Sequence, residues 1–299
     1  EAIYDGPANN LVGIQTFSGG KDSASPQHAV LLGMSGAGKS VTVCDLLSQT
    51  EGYFGYTVII EEGLSYGIYT ATVEEGARPI IIHPDGDLTI NYLDTKGLPL
   101  TPDHLSAATA LVARMIGTST QEDKQMLRQA QIAKYLNLLY EDSFQDWQKK
   151  RHDQLLNIAR HAMALQKFRA EKMPPGATTL ESFADFRDWK AAHVDEAQSY
   201  MQQFAEADTL RFLKDPKTSK EVRNLAFAYF TPDEFPTHRM LQELMMLDPM
   251  GAERDQIMEI ATLILPWCRD GNYGCLFDGT SNLSLTGKIA HFELGYIPE

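Results

Sequence analysis

Residues 31–47, LLGMSGAGKSVTVCDLL, contain the feature that most constrains the fold of this chain. Gly33, Gly38, Lys39 and Ser40 match the phosphate-loop pattern G-x-x-x-x-G-K-[ST], and Gly36 adds a further glycine. The apolar run HAVLLG before the loop predicts a buried strand, and SVTVCDLL after it predicts a helix. A phosphate-binding loop requires this order of strand, glycine-rich turn and helix. We therefore predict an α/β core, and a glycine-rich turn that binds nothing is the alternative.

The residue types in this loop suit a triphosphate and its metal ion. Glycine lets the backbone curl so that its N–H groups point inward, and the start of a helix adds partial positive charge. Lys39 is expected to neutralise phosphate charge, and the Ser40 hydroxyl is expected to hold Mg²⁺. The predicted nucleotide-binding residues are Gly33, Ser35, Gly36, Ala37, Gly38, Lys39, Ser40 and Val41.

Composition narrows the classes of protein to which the chain can belong. Its 299 residues, 43% hydrophobic and 22% charged, are typical of a globular protein of one large or two ordinary domains. The net charge of −14 disfavours broad binding to nucleic acid. Three cysteines form no C-x-x-C pair, so a reducing cytoplasm fits best. Basic residues recur from Arg211 to Arg223, but Pro216 interrupts them, which indicates a solvated face or a contact between subunits.

The chain alternates between two sequence styles. Residues 1–100 contain short apolar runs separated by glycine and proline, which predict strands: NLVGIQTF, HAVLLG, YTVII, RPIIIHP and LTINYL. Residues 101–268 have helical periodicity, with cap signals at Thr101, Ser119, Thr178, Thr218 and Thr231. Residues 269–299 return to the first style. We therefore predict an α/β core over 1–100 and 269–299, with an all-helical insertion between.

Hydrolysis of a nucleotide requires acidic groups in addition to the phosphate loop. Three apolar runs end in acid: TVIIEE with Glu61 and Glu62, GCLFDG with Asp278, and IAHFEL with Glu293. Glu62 is the candidate catalytic residue, and Glu61 is the candidate for the metal shell; a strand end that faces solvent or shapes the sheet edge is the alternative for both. A turn is the preferred interpretation of Asp278 before Gly279. Glu293 is open to either a metal role or an outward-facing position within a strand.

The order of several segments carries a resemblance to a known family. GMSGAGKS, TVIIEEGLSY, INYLDTKGLPLTPDHL, a long helical region and YGCLFDGTSNLSLTGKIAHFELGYIP follow one another as in the large conjugative-transfer ATPases of type IV secretion systems. These ATPases belong to the HerA–FtsK superfamily of hexameric motors. The resemblance covers nearly the whole chain, and the LFDG…HFELGYIP segment is its most distinctive part. It implies a RecA-like P-loop NTPase core that binds ATP and Mg²⁺.

The resemblance also implies partners, a location and a missing part. It implies a hexamer that works with other secretion-system subunits. The expected location is the cytoplasm, with peripheral attachment to the inner membrane as the alternative. Nucleic acid is a further partner in principle, but the negative net charge does not support it. The family's Asp-Glu strand, glutamine-bearing strand and arginine finger would follow Glu299, so we expect a piece of a longer protein. Two other functions stay open: a small-molecule kinase with a helical lid, and an assembly module that binds nucleotide without turnover.

Overall fold

Two compact units make up the chain in the computed structural model, which describes residues 2–5, 10–14, 28–53, 55–247, 254–285 and 287–297. The first unit comprises residues 1–86 and 283–299, and the second comprises residues 87–282. The second unit is therefore inserted into the sequence of the first. The divisions fall after Gly86 and Asn282, whereas the sequence predicted them after residues 100 and 268.

The first unit combines a hairpin, a small parallel sheet and two helices. Strands β1 (Ala2–Asp5) and β2 (Leu11–Ile14) pair antiparallel. The sheet has the order β3-β5-β4, and all three strands are parallel. The elements of this part are α1 (Lys39–Thr50), β3 (Thr57–Glu61), α2 (Gly67–Val73), β4 (Ile80–Ile81) and β5 (Ile289–Glu293). A one-turn 3₁₀ helix, Glu51–Tyr53, follows α1. The fold is thus mixed α/β, and the carboxyl ends of the three parallel strands meet at one edge.

The strand predictions for the first unit have mixed outcomes. The predicted strands in YTVII and IAHFEL are confirmed as β3 and β5, and RPIIIHP contributes only the two residues of β4. NLVGIQTF contributes β2, and its residues 15–17 lie outside the described residues. The strand predicted for HAVLLG is wrong, because residues 28–34 form no strand and Val30 and Leu32 are 82% and 86% exposed. A buried strand needs a hydrogen-bonded neighbour, and neither sheet of the described residues includes this run.

The second unit consists of helices joined by irregular segments and contains no strand in its described residues. Its α-helices are α3 (Pro102–Met115), α4 (Glu122–Lys150), α5 (His152–Lys172), α6 (Thr179–Ala192), α7 (Val194–Gln202), α8 (Glu206–Lys214), α9 (Pro216–Ala226), α10 (His238–Leu247), α11 (Arg254–Leu263) and α12 (Gly274–Phe277). Two 3₁₀ turns, Phe227–Tyr229 and Leu265–Trp267, lie between them. The strands predicted for LTINYL and GCLFDG are wrong: the first is irregular and the second forms α12. Periodicity alone cannot separate a short buried strand from a short buried helix.

Two of the five predicted helix caps are correct. The Thr101 hydroxyl accepts a hydrogen bond from the His104 N–H, with Pro102 at the first helical position. Thr178 and Glu181 form a complete capping box at the start of α6. The caps predicted at Ser119 and Thr218 are wrong, because α4 begins at Glu122 after Gln121 and α9 begins at Pro216 after Asp215. Thr231 lies in a turn, where its N–H donates to Glu234 over 2.8 Å, rather than at a helix start.

The larger of two apolar clusters in the described residues of the second unit forms its main core. The 29-residue helix α4 contributes most to it, and the fully buried side chains include Ile132, Tyr135, Leu136, Phe227, Leu241, Met245 and Ile260. The Tyr140 hydroxyl donates a hydrogen bond of 2.7 Å to the Leu93 carbonyl oxygen, so its polar end is satisfied inside this core. No helix of the described residues has the length and apolar character to cross a bilayer.

Candidate functional site

The loop before α1 adopts a conformation that depends on its glycines. Gly36 and Gly38 have φ of +78° and +85°, a region that residues with a Cβ rarely adopt. The Ala37 N–H donates to the Met34 carbonyl oxygen over 3.2 Å, which closes a tight turn between them. The Thr42 N–H then donates to Gly38 over 2.9 Å and forms the first hydrogen bond of α1. The two left-handed residues thus turn the chain directly into a helix start.

Lys39 lies at the start of α1 and folds back across the loop. Its Nζ donates hydrogen bonds of 2.9 Å to the carbonyl oxygens of both Gly33 and Met34. Gly33 allows this close approach, because a Cβ added there would lie 3.3 Å from Cγ of Lys39. The ammonium group is therefore held beside the helix start by loop carbonyl groups.

The first turn of α1 supplies hydrogen-bond donors next to this ammonium group. The N–H groups of Lys39, Ser40 and Val41 precede the first intrahelical hydrogen bond, so the helix itself offers them no acceptor. Ser40 is half-buried, Val41 is 72% exposed, and the loop residues Ser35, Gly36 and Ala37 are exposed. This accessible turn therefore carries an ammonium group and amide N–H groups, which can donate hydrogen bonds to an anionic phosphate chain. It also carries a hydroxyl oxygen, which can ligate a hard metal ion.

Glu61 and Glu62 occupy different environments at the end of β3. Glu61 is the last residue of β3, its side chain is 8% exposed, and its carboxylate accepts hydrogen bonds from the N–H groups of Ser65 (2.9 Å) and Tyr66 (2.8 Å). Glu62 is exposed. The negative charge of Glu61 also affects a residue of α1. The pKa of the Cys44 thiol is raised, mainly by burial and in addition by the charge of Glu61. Cys44 lies one helical turn after Ser40 on the same face of α1.

Glu61 has two neighbours that the sequence analysis did not combine with it. It pairs in register with Glu293 across the parallel strands, and His291 lies two residues before Glu293 on β5. Because side chains alternate along a strand, these three residues share one face of the sheet. One potential ligand atom from each lies within 4.8 Å of the others.

Glu293 is buried at the end of β5, so the outward-facing interpretation is wrong. Its carboxylate accepts hydrogen bonds from the N–H groups of Gly63 (3.0 Å), Leu64 (2.9 Å) and Gly295 (2.8 Å). The Gly63 bond first, and then those from Leu64 and Gly295, hold the pKa of Glu293 below its usual range. Gly63 and Leu64 have φ of +115° and +55°. Glu293 therefore stabilises a turn that Leu64 adopts at a cost in strain.

His291 is fully buried between Thr70 and Glu61. Its Nδ1 lies 2.7 Å from the Thr70 hydroxyl, and its Nε2 lies 2.8 Å from Oε1 of Glu61. The Nε2–Glu61 approach is close but lacks the alignment of a hydrogen bond, so Nε2 has no hydrogen-bond partner in the described part of the chain.

The remaining sequence candidates lie in the helical unit. Asp278 follows α12 instead of a strand and is buried, where its two oxygens accept the N–H groups of Arg239 (2.9 Å) and Arg269 (2.8 Å). That role is structural. The basic residues from Arg211 to Arg223 divide between α8 and α9, and the two end residues pair with acids, Arg211 with Asp208 and Arg223 with Glu141.

A cavity of about 170 Å³ lies between α5, α6 and α9 and is bordered by Thr101, Arg169, Ser182, Glu221 and Asn224. This volume is below the several hundred Å³ of a drug-sized ligand site, so the cavity does not suit a nucleoside triphosphate.

Comparison of the chain with protein-family models, with curated proteins and with solved structures finds no match. The functional interpretation therefore depends on the geometry of the loop and of the sheet edge.

Proposed function

We propose that the loop of residues 33–41 binds ATP with Mg²⁺ in the motor domain of an ATPase that powers type IV secretion, conjugative transfer or pilus assembly. The observation that carries the proposal is the loop itself: two left-handed glycines lead into a helix whose first residue holds its ammonium group across the loop. The wider assignment to a secretion motor, its hexameric state and its RecA-like core come from the resemblance in segment order.

The loop residues have separate roles in this proposal. Lys39 exchanges its two carbonyl acceptors for phosphate oxygens, which are stronger acceptors because they are charged. The N–H groups at the start of α1 donate to the same phosphate chain. The Ser40 hydroxyl holds Mg²⁺, which neutralises charge on the phosphates.

A second candidate, a nucleotide-binding assembly module without turnover, is favoured by the surroundings of Glu61. Its carboxylate accepts hydrogen bonds from two backbone N–H groups and faces His291. Glu61 therefore stabilises the end of the sheet, which leaves it less suited to a role in hydrolysis. The exposed Glu62 then stays the candidate for orienting water. An assay of phosphate release separates the two functions: turnover above background that Glu62→Gln abolishes supports the ATPase, and stoichiometric ATP binding without release supports the assembly module.

Ser40→Ala should remove the contribution of Mg²⁺ to ATP affinity. The wild-type chain should bind ATP more tightly in Mg²⁺ than in EDTA, because the Ser40 hydroxyl is proposed to ligate the ion. In Ser40→Ala the two affinities should agree within about twofold, as measured by calorimetry. Ser48→Ala, on the same helix, is the matched control, since the Ser48 hydroxyl donates to the Cys44 carbonyl oxygen, its one hydrogen-bond partner among the described residues. Full Mg²⁺ dependence in Ser40→Ala would contradict the assignment of this hydroxyl.

A further inference from the structure

Glu61, His291 and Glu293 form a group of potential metal ligands at the carboxyl end of the parallel sheet. Two strands that are neighbours in space but about 230 residues apart in sequence supply them. Their ligand atoms lie within 4.8 Å of one another. None of the three residues belongs to the phosphate loop, and the inference from this group goes beyond the proposed function and does not depend on it.

The negative charges of this group favour the binding of a cation. The Glu61 and Glu293 carboxylates have little exposure and lie side by side in register, with oxygen atoms within 4.8 Å of each other, so their negative charges repel. Among the described residues, no lysine or arginine forms an ion pair with either carboxylate. Five backbone N–H groups from residues 63–66 and Gly295 offset part of the charge. His291 is the remaining group in contact, and it supplies at most one positive charge.

The hydrogen bonds of His291 favour an unprotonated Nε2. The Thr70 hydroxyl lies 3.1 Å from the Tyr66 carbonyl oxygen and 2.7 Å from Nδ1 of His291. If this hydroxyl donates its single hydrogen to Tyr66, it accepts the hydrogen of Nδ1, and Nε2 is left with a lone pair. A hydrogen on Nε2 would instead lack an aligned acceptor, because Oε1 of Glu61 is close but out of line. A buried imidazole nitrogen with a free lone pair beside a carboxylate is a metal-ligand arrangement.

Backbone N–H groups hold both carboxylates in place, and Glu61 keeps acceptor capacity to spare. A carboxylate offers about four acceptor positions, and Glu61 uses two of them for the N–H groups of Ser65 and Tyr66. Glu293 is fixed by three N–H groups, and that of Gly63 lies within hydrogen-bond distance of both carboxylate oxygens, at 3.0 and 3.1 Å. Such outer hydrogen bonds orient metal-binding side chains in known metal sites. The site is thus largely formed before an ion arrives.

We infer that Glu61, His291 and Glu293 bind a divalent transition-metal ion of the Zn²⁺ class. Imidazole nitrogen and carboxylate oxygen are both ligands of Zn²⁺, and three protein ligands leave a fourth position open to water or to an oxygen of another molecule. Mg²⁺ prefers oxygen ligands only and retains its waters, so this set discriminates against it. The ion fastens the ends of β3 and β5 together and thereby secures the turn of residues 62–66.

Calorimetric titration of the metal-free chain with ZnCl₂ in the absence of nucleotide tests this inference. The wild type should bind one Zn²⁺ at this site and should show no comparable binding of Mg²⁺. His291→Gln and Glu61→Gln should each weaken Zn²⁺ binding by at least about tenfold. The exposed residues His83 and Glu75 provide matched controls, and His83→Gln and Glu75→Gln should bind Zn²⁺ as the wild type does.

A measurement on the wild type keeps the test decisive if a buried variant fails to fold. In ¹⁵N-labelled chain, Zn²⁺ should shift the Nε2 resonance of His291 and leave that of His83 unchanged. Absence of Zn²⁺ binding by the wild type, an unshifted His291 resonance at saturation, or equal loss of binding in His83→Gln would overturn the inference. Lys39→Ala separates the two proposals, because it should impair ATP binding and leave Zn²⁺ binding intact.

Discussion

Lys39→Ala should weaken ATP binding by about ten- to a hundredfold. Hydrogen bonds to charged groups contribute about 1.5–3 kcal/mol each, and each 1.4 kcal/mol corresponds to a factor of ten in affinity. The effect should be this large because the ammonium group is already confined beside the helix start, so little freedom is lost when phosphate replaces its carbonyl acceptors. Calorimetry with Mg²⁺ and ATP measures the loss.

Two further variants separate the local role of Lys39 from a general charge effect. Lys288→Ala removes a positive charge from an exposed position of the same unit and should leave ATP affinity unchanged. Lys39→Arg retains the charge but replaces a compact ammonium group with a planar fork, so it should recover only part of the affinity. Unaltered affinity in Lys39→Ala would mean that ATP, if bound, is bound elsewhere.

Acid should destabilise the helical unit through His161, and the loss should begin near pH 6.5, above the pH at which carboxylates titrate. Burial first, and then the neighbouring Lys190, lower the pKa of His161 from 6.5 to about 3. The folded unit therefore keeps this imidazole neutral, while the unfolded chain takes up a proton below pH 6.5. The stability present above pH 6.5 falls as the pH drops towards 3. Linkage gives a loss of about 2 kcal/mol between pH 8 and pH 5 from this residue alone.

The contacts of His161 explain why it resists protonation in the folded unit. Nζ of Lys190 lies 2.9 Å from its Nε2, the Tyr229 hydroxyl contacts its Nδ1, and the rings of Phe183 and Phe186 pack against it. A proton on Nε2 would therefore meet a second positive charge inside an apolar cluster. His104 and His238 act in the same direction, because burial lowers the pKa of each.

Urea unfolding followed by tryptophan fluorescence measures this effect selectively, because Trp147, Trp189 and Trp267 all lie in the helical unit. His161→Gln should be less stable than the wild type at pH 8, because it loses buried hydrogen bonds. Its loss of stability between pH 8 and pH 5 should be smaller by about 2 kcal/mol. His152→Gln, which changes an exposed histidine of the same helix, should keep the wild-type slope. Equal slopes in the wild type and His161→Gln would show that His161 is not held neutral.

Local signals in the sequence predicted the features that depend on neighbouring residues. The helix predicted for SVTVCDLL, the cap at Thr101 and the capping box at Thr178 each arise from interactions within a few positions of the chain. The strands in YTVII and IAHFEL were predicted because short β-branched and apolar runs suit a sheet whose strands lie side by side.

Features that depend on distant partners could not be predicted in this way. HAVLLG is apolar enough for a strand, but strand formation requires a neighbour that no local pattern reveals. The combination of Glu61 with His291 and Glu293 depends on the register of β3 against β5, which a single sequence does not specify. The sequence did offer one signal of a shared site: His291 and Glu293 are two residues apart on one predicted strand, so their side chains lie on the same face. It became meaningful only once Glu61 was placed opposite Glu293.

The central claim is that the loop of residues 33–41 binds a nucleoside triphosphate, and amide NMR of the ¹⁵N-labelled chain tests it most directly. On titration with Mg²⁺ and ATP, the N–H signals of Gly33, Gly36 and Gly38 should shift and saturate at one ATP per chain. The signals of Gly117 and Gly176, left-handed glycines of the helical unit, should stay in place. Unchanged signals for the three loop glycines at saturating ATP would contradict the account.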